Sequence, residues 1–467
     1  MSTPRPPLTF DAQETILVIG LGRSGQASVE VLRARGAAVC AVDEKPRAEL
    51  AGAIAHLEAR GARFIEPAAL DAALPHFTSA VLSPGVPLNG ALVRRVQAAN
   101  VPVFSEIEVA SRLCKAPIVA VTGTKGKSTT TSLIGHLLRS GGGRVFVGGN
   151  IGNPLIAEVV DATANDWVVA EVSSFQLESI RSFKPRVGVI LNISADHLDR
   201  YYSMDEYAEA KFRIFANQSE RDAFVGNLDD DRLAALHWQE DSNRVRGRQL
   251  WFTMSDRHER ATMYLRDGAL VYAPITGDPR PVEIMRRDEI PLAGEHNVQN
   301  VMAALLAALA TGLDPHLLRE GVMSFAPMAH RLQPIGEFDG VLYVDDSKAT
   351  NPGAVIAALR AYDRPIVLIA GGKSKKTDFS ELGESIDARA KAVVLIGEAA
   401  AEIGSAIRRA PKSKAHSMEE AVHVARSLAR PGDVVLLSPA CASFDMFASA
   451  EDRGEQFAAA VLEAKVV

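Results

Sequence analysis

Cysteine is scarce in this sequence of 467 residues. The three present, Cys40, Cys114 and Cys441, are scattered, with no C-x-x-C pair and no metal-ligand spacing. That excludes a disulfide framework or a zinc module and reads as reduced thiols packed in the protein. No apolar run approaches the roughly 18–20 residues of a membrane span. The opening MSTPRPPLTFDAQE has no basic start followed by an apolar core, so no secretory signal is expected. Basic charge is not in excess: 51 Lys and Arg stand against 57 Asp and Glu, a net charge of −6. That argues against a general nucleic-acid or membrane-surface binder, while leaving room for a local basic pocket. Tandem short repeats and low-complexity tracts are also missing. The default compartment is the cytoplasm.

What is present is an ordinary globular composition, 47% hydrophobic and 23% charged. The length suggests two to four domains. Three blocks follow one another, each alternating strand and helix patterns, which implies parallel sheets and an α/β fold. The first block opens with TILVIG, then LGRSGQASVEVLRARG as a helix ending at Gly36, then the strand AAVCAVD and the strand and turn SAVLSPGVP. The second contains PIVAVTGT, a helix from about Lys127 to Ser140, and the buried strands DWVVAEVSS and RVGVILNISADHLDRY. A long helical stretch SMDEYAEAKFRIFANQ follows. ATMYLRDGALVYA reads as a hairpin turning at Asp267-Gly268, a pair suited to a two-residue primed turn. GEHNVQNVMAALLAALATG reads as a buried helix. The third block has the strands VLYVDDS, PIVLIAGG, AVVLIG and DVVLLSPA. Boundaries near Ser105 and Pro327 give domains 1–105, 106–326 and 327–467.

The chemistry is densest in VTGTKGKSTT, residues 121–130. A phosphate loop has Gly, four residues, then Gly-Lys-Ser/Thr. Here Gly126-Lys127-Ser128 is in place, but the upstream glycine is Gly123, two residues closer than usual. A strand still feeds a glycine turn that opens a helix, so backbone N–H groups and Lys127 would meet phosphate, and Ser128 or Thr129 could hold Mg²⁺. The bland alternative is a glycine turn with a solvated lysine. In an open parallel sheet, ligands sit beyond the carboxyl ends of the strands. If the neighbouring strands flank this loop, Glu171 is the natural metal ligand, and Asp196, His197 and Asp199 converge on the phosphates. Asn150, in GGNIGNP, reads alone as a turn residue. Lys211 lies among aromatics in AKFRIF, where a lysine normally snorkels to water, and composition gives it no role.

The loop TGTKGKSTT resembles the shortened ATP loop of the Mur ligases and folylpolyglutamate synthases. GGNIGNP, EVSSFQLE, LNISADHLDRY, AKFRIF, GEHNVQN, HR, DDSKATNPGA and SPACASFDMF follow in family order and span nearly the whole chain. The likeness is greatest to the glutamate-adding branch of the Mur ligases. It implies three domains: an N-terminal Rossmann-like one for a UDP substrate, a central P-loop-type sheet for ATP and Mg²⁺, and a C-terminal Rossmann-like one for the amino acid. It implies that ATP phosphorylates the carboxylate of UDP-N-acetylmuramoyl-L-alanine and that D-glutamate attacks the acyl phosphate, in peptidoglycan precursor synthesis. A monomer with small-molecule substrates is expected.

The resemblance also distributes the site. The ATP loop runs through Gly123, Thr124, Lys125, Gly126, Lys127, Ser128 and Thr129, and further nucleotide contacts come from Asn297, Asn300, Arg331 and Asp346. Arg331 would reach the transferring phosphate and Asp346 the ribose. Ser128 and Glu171 would hold one Mg²⁺, with Asn150 and His197 at the substrate or a second metal. Lys211 matches a lysine that is carbamylated in the family and so able to help bind Mg²⁺. Lys348, Thr350, Lys375 and Ser443 match contacts to the incoming glutamate.

The first block carries Gly20-x-Gly22-x-x-Gly25 with Asp43 ending the next strand. Alone, that fingerprint suggests an NAD-dependent dehydrogenase. The resemblance assigns it instead to the UDP diphosphate, through Gly22, Arg23 and Ser24, with Asp43 and Ser83 near the uridine. A P-loop switch or motor is the other reading from a different class. Two departures lie near the amino-acid end: KSKKTD replaces a smaller loop, and Ala450 stands where an aromatic is usual. They leave a related ligase, using L-glutamate or another amino acid, as the alternative.

Overall fold

The computed structural model describes residues 9–196, 200–238, 244–256, 261–274, 280–326, 328–374 and 377–463. Its contacts divide the chain into two compact units, 1–287 with 299–322, and 288–298 with 323–467. The first unit contains two sheets and the second contains one.

The first sheet is parallel, in the order Arg63–Phe64, Ala38–Val42, Thr15–Ile19, Ser79–Leu82, Val103–Ser105. Its order reverses direction beside Thr15–Ile19, the strand that leads into the glycine fingerprint. The fingerprint needs its glycines for space. Gly20 has φ +89°, and a Cβ on Gly25 would lie 1.8 Å from the Gly20 carbonyl oxygen, so only glycine lets helix Arg23–Ala34 pack this close to the strand end.

The second sheet has nine strands. At its centre Ile118–Thr122 lies between Val187–Ile190 and Trp167–Glu171, all parallel. This meets the condition set by the sequence, because both carboxylate-bearing strands flank the loop strand. At the far edge, Met263–Arg266 and Ala269–Tyr272 form the expected hairpin. Asp267 and Gly268 both have positive φ, +49° and +77°, as a primed turn demands. One helix is shorter than the sequence suggests. Residues 203–218 give Met204–Phe212 and then a 3-10 turn Arg213–Phe215. Arg213 donates to the carbonyls of Leu177 (2.8 Å) and Ile180 (2.6 Å), which pins the chain where it tightens.

One hydrophobic cluster runs through both sheets of the first unit, from Phe10 and Phe104 to Leu155, Phe183 and Trp251. Two acidic residues of helix Glu106–Leu113 bind the second sheet's loops across it. Glu106 accepts from the Ile156 N–H at 2.6 Å, and Glu108 accepts from the Ser182 and Phe183 N–H groups at 3.0 and 2.9 Å. Burial pushes the Glu106 carboxyl up to about 7, against the lowering effect of the Ile156 N–H.

The second unit holds a six-stranded sheet in the order Gln333–Phe338, Val341–Asp345, Val434–Ala440, Ile366–Gly371, Ala390–Ile396, Lys412–Lys414. Only its first pair is antiparallel. Two apolar clusters cover its two faces, one around Val355, Leu368 and Leu382, the other around Val422, Val435 and Phe457. Among the described residues no helix is long and apolar enough to cross a membrane.

Candidate functional site

The short loop begins after Thr122 and ends at Gly126, whose φ of +84° starts helix Lys127–Ser140. A side chain is excluded at Gly126, since a Cβ there would meet the Asn300 Oδ1 at 2.2 Å. The loop is held from the neighbouring strand by Asn192. Its Oδ1 accepts from the Thr124 N–H (3.1 Å) and the Lys125 N–H (2.8 Å), and its Nδ2 donates to the Lys125 carbonyl (3.1 Å). The Thr124 hydroxyl meets the Tyr207 hydroxyl at 3.2 Å and donates to the Ser194 carbonyl. The first turn of a helix leaves its backbone N–H groups without intrahelical acceptors, and Ser128 and Thr129 lie in that turn here.

Two lysine amines converge on one carbonyl. Lys127 Nζ donates to the Gly123 oxygen at 2.9 Å and to the Thr124 oxygen at 2.8 Å. Lys211 Nζ donates to the same Gly123 oxygen at 2.9 Å and lies 4.5 Å from the Tyr207 ring centroid. Lys211 is 2% exposed, so it does not snorkel. Burial and the nearby Lys127 charge bring its amine down to about 7, with Asp196 opposing them. This buried amine therefore gives up its proton far more readily than an ordinary lysine.

Glu171 ends the strand paired with the loop strand, in register with Val121. It is 2% exposed. Its Oε1 accepts from the Asn150 side chain at 2.7 Å, and its Oε2 is buried with no hydrogen-bond partner. An orphaned buried carboxylate oxygen is costly and calls for a cation. Among the described residues no cluster of three or more His, Cys, Asp or Glu side chains forms a metal cage. Mg²⁺ takes few protein ligands and completes its shell with water and phosphate oxygens. The turn carrying Asn150 folds back on this strand, the Asn150 N–H donating to the Glu171 carbonyl at 2.9 Å. His197 lies outside the described residues.

In the first sheet, Asp43 accepts from the Leu21 N–H at 2.7 Å, and Ser83 donates to the Gly20 carbonyl at 2.8 Å. Both residues therefore shape the glycine loop itself. Gly22 caps the helix and Ser24 lies in its first turn. Exposed Arg23 donates to the Gly152 carbonyl at 2.9 Å, linking this loop to the turn that bears Asn150.

In the second unit, Asn297 donates from its side chain to the Ala293 carbonyl at 2.7 Å. Arg331 sits between two left-handed residues, His330 (φ +60°) and Leu332 (φ +44°). This tight bend is held by a 2.7 Å contact between His330 Nδ1 and Asp345 Oδ2. Asp346 accepts from the Ser438 hydroxyl at 2.8 Å and the Leu332 N–H at 3.2 Å. Burial pushes its carboxyl up to about 7, which those hydrogen bonds and Arg331 only partly offset. Lys348 pairs with Glu451, whose carboxyl that contact holds down at about 2. The Thr350 N–H donates to the Lys348 carbonyl, and buried Ser443 accepts at its carbonyl from Met446 and Phe447. Lys375 lies outside the described residues. A polar cavity of about 430 Å³, lined among others by Asp378, Glu384, Glu402 and Arg408, contains none of these residues.

Family models match three stretches in order. Residues 14–105 match a Mur ligase MurD-like N-terminal domain, 121–308 a Mur ligase middle domain, and 330–441 a Mur ligase glutamate ligase domain. The chain is similar to the UDP-N-acetylmuramoylalanine–D-glutamate ligase of Pelotomaculum thermopropionicum, 44% identical, with 97% of this chain and 98% of the relative covered. The chain belongs to the Mur ligase family. The ligase of the same name from Geobacter metallireducens is 42% identical, with 96% of this chain and 97% of the relative covered. Among solved structures, the UDP-N-acetylmuramate-alanine ligase of Thermotoga maritima matches with a TM-score of 0.60 at 19% identity, covering 97% of this chain and 100% of that one. A pseudomurein peptide ligase of Methanothermus fervidus matches at 0.59 and 18%, with the same coverage. At that identity the structures speak for the fold alone, the three-domain α/β fold of Mur ligases. In this Mur ligase the first two sheets share one compact unit. The dehydrogenase and the switch or motor readings fall away, since the fingerprint and the loop belong to one ligase chain.

Sequence reading missed three residues that hold these sites together. Asn192 sat in plain view in LNISADH, and a side-chain amide at a strand end beside a loop was its only signal. Tyr207 and Arg453 looked like ordinary positions of amphipathic helices.

Proposed function

We propose that this Mur ligase joins D-glutamate to UDP-N-acetylmuramoyl-L-alanine, with one ATP consumed per amide, in cytoplasmic peptidoglycan precursor synthesis. The observation that carries the reading is the pair of amines on the Gly123 carbonyl, in a loop whose strand pairs with the one ending in Glu171 and its orphaned oxygen. The names borne by its relatives support the choice of glutamate. ATP-dependent amide-bond formation and the use of Mg²⁺ are general to the family. We further propose domains 1–105, 106–326 and 327–467, acting as a monomer.

A carboxylate is a poor electrophile, and phosphorylation gives it a leaving group. The substrate carboxylate attacks the γ-phosphorus and ADP departs, leaving an acyl phosphate. The glutamate amine then attacks the carbonyl carbon, loses a proton, and the tetrahedral intermediate expels phosphate. Lys127 and the helix N-terminus offset charge on the transferring phosphoryl group in a site poor in water. Ser128, Glu171, His197 and the carbamate of Lys211 would hold Mg²⁺. When bound, the ion adds positive charge at the phosphate oxygens. Gly22, Arg23 and Ser24 hold the UDP diphosphate, with Asp43 and Ser83 shaping that loop beside the uridine, and Asn150 faces the substrate. Asn297, Asn300, Arg331 and Asp346 contact the nucleotide. Lys348, Thr350, Lys375 and Ser443 receive glutamate, whose two carboxylates match paired lysines and hydroxyls.

An oxygen label tests this chemistry. With ¹⁸O in the carboxylate of the UDP substrate, an acyl phosphate requires one labelled oxygen to leave in each phosphate released. Unlabelled phosphate at full turnover would contradict the mechanism.

A further inference from the structure

Arg453 lies in the first turn of helix Ala450–Glu463 and is fully buried, at 0% exposure. Arginine is almost never fully buried unless paired. Its guanidinium instead donates to neutral acceptors on two loops. Nε donates to the Ser347 hydroxyl at 2.9 Å, Nη2 to the Ser347 carbonyl at 2.8 Å, and Nη1 to the Cys441 carbonyl at 3.1 Å. The Ser347 hydroxyl passes its own proton to the Ala450 carbonyl at 2.7 Å, closing the network. Among the described residues no carboxylate forms an ion pair with this guanidinium, and Asp345 and Asp445 act on it only through space.

A third loop also approaches. Gly372, just past strand Ile366–Gly371, has φ +132°, and a Cβ there would lie 3.2 Å from Nη1. Strands Val341–Asp345, Val434–Ala440 and Ile366–Gly371 are adjacent in the sheet. One guanidinium thus ties together the loops that leave two neighbouring strand ends and lies close to the loop that leaves a third. The two tied loops carry Lys348 and Thr350, and Ser443.

A purely structural brace could be made from neutral groups without the cost of burying a charge. Here the charge is kept, its hydrogen-bonding partners are neutral, and it lies under the loops expected to receive a dianion. We propose that Arg453 is the positioning residue of the amino-acid pocket, setting the spacing of the two loops it bonds and lending positive charge to a dicarboxylate bound there. The inference rests on the reading of this sheet end as the glutamate site.

Arg453→Lys keeps the charge but replaces a planar fork with one point donor, Arg453→Met removes both, and Ser347→Ala removes one acceptor. Phosphate release is measured for each, with thermal melting as a check on folding and the wild-type enzyme alongside. The KM for glutamate is expected to rise about tenfold or more in Arg453→Lys, further in Arg453→Met and about threefold in Ser347→Ala, while the KM for ATP stays within about twofold. An unchanged KM for glutamate, an equal rise in both KM values, or loss of the fold in all three variants would overturn the assignment. A wild-type enzyme indifferent to glutamate would overturn the glutamate reading itself, and this inference with it.

Discussion

Lys127→Ala is expected to lose most of the turnover, about 2–4 kcal/mol of barrier or a factor of about 30 to 1,000 in kcat. The size follows from position. Lys127 opens the helix after the short loop, and its amine is already held over the loop by the carbonyls of Gly123 and Thr124. A nucleotide phosphate arriving at the helix N-terminus takes over that amine without a large reorganisation, which is what makes a charge effective in a transition state. The substitution removes the charge and two loop hydrogen bonds, while Asn192 still holds the backbone of Thr124 and Lys125. The check is kcat from phosphate release with a separate measurement of ATP binding. Near-normal turnover would refute the role of Lys127.

Lys211→Ala is expected to be inactive and to recover with added short carboxylates such as formate or acetate. The amine is buried, anchored on Gly123 and covered by the Tyr207 ring. Only a neutral amine attacks CO₂, forming an N–C bond and releasing a proton, so a depressed pKa favours the carbamate. The sign follows directly. With its amine titrating at about 7, Lys211 is largely neutral above that pH and ammonium below it. Wild-type activity should therefore fall as pH drops through about 7, and the carboxylate-rescued variant should lack that dependence. A carbamate would turn a neutral amine into an anion, against a loop whose strand pairs with the one that ends in Glu171 and its orphaned Oε2. A variant fully active unaided would remove the carbamate from the mechanism. An inactive variant that no carboxylate restores would leave Lys211 a structural brace of the loop.

Turn chemistry and glycine spacing made much of the fold readable. The Asp267-Gly268 hairpin and helix Lys127–Ser140 are set by residues whose backbone preferences act locally, and both stand where the sequence put them. The sequence left open whether the strands that end in Glu171 and Ile190 flank the loop strand, and the sheet places them on its two sides. Other features depend on partners distant in the chain. Arg453 is one charged residue on an amphipathic helix until two loops are tied to it. Glu106 and Glu108 look like an ordinary acidic first turn, yet they bind the residues around 156 and 181–183. Asp43 and Ser83, expected near the uridine, also hydrogen-bond the glycine loop, which no local pattern showed. Lys348 was read as a glutamate contact and is paired with Glu451. No local pattern announces such pairings, because they are made by the sheet and not by the segment.

The most direct measurement is phosphate release with ATP, Mg²⁺ and UDP-N-acetylmuramoyl-L-alanine, with D-glutamate, L-glutamate or no amino acid supplied in turn. The structure-based account predicts release that depends on D-glutamate, with product gaining one glutamyl residue per phosphate, and little above background in the other two mixtures. Release indifferent to either glutamate, or saturating with no amino acid present, would contradict it.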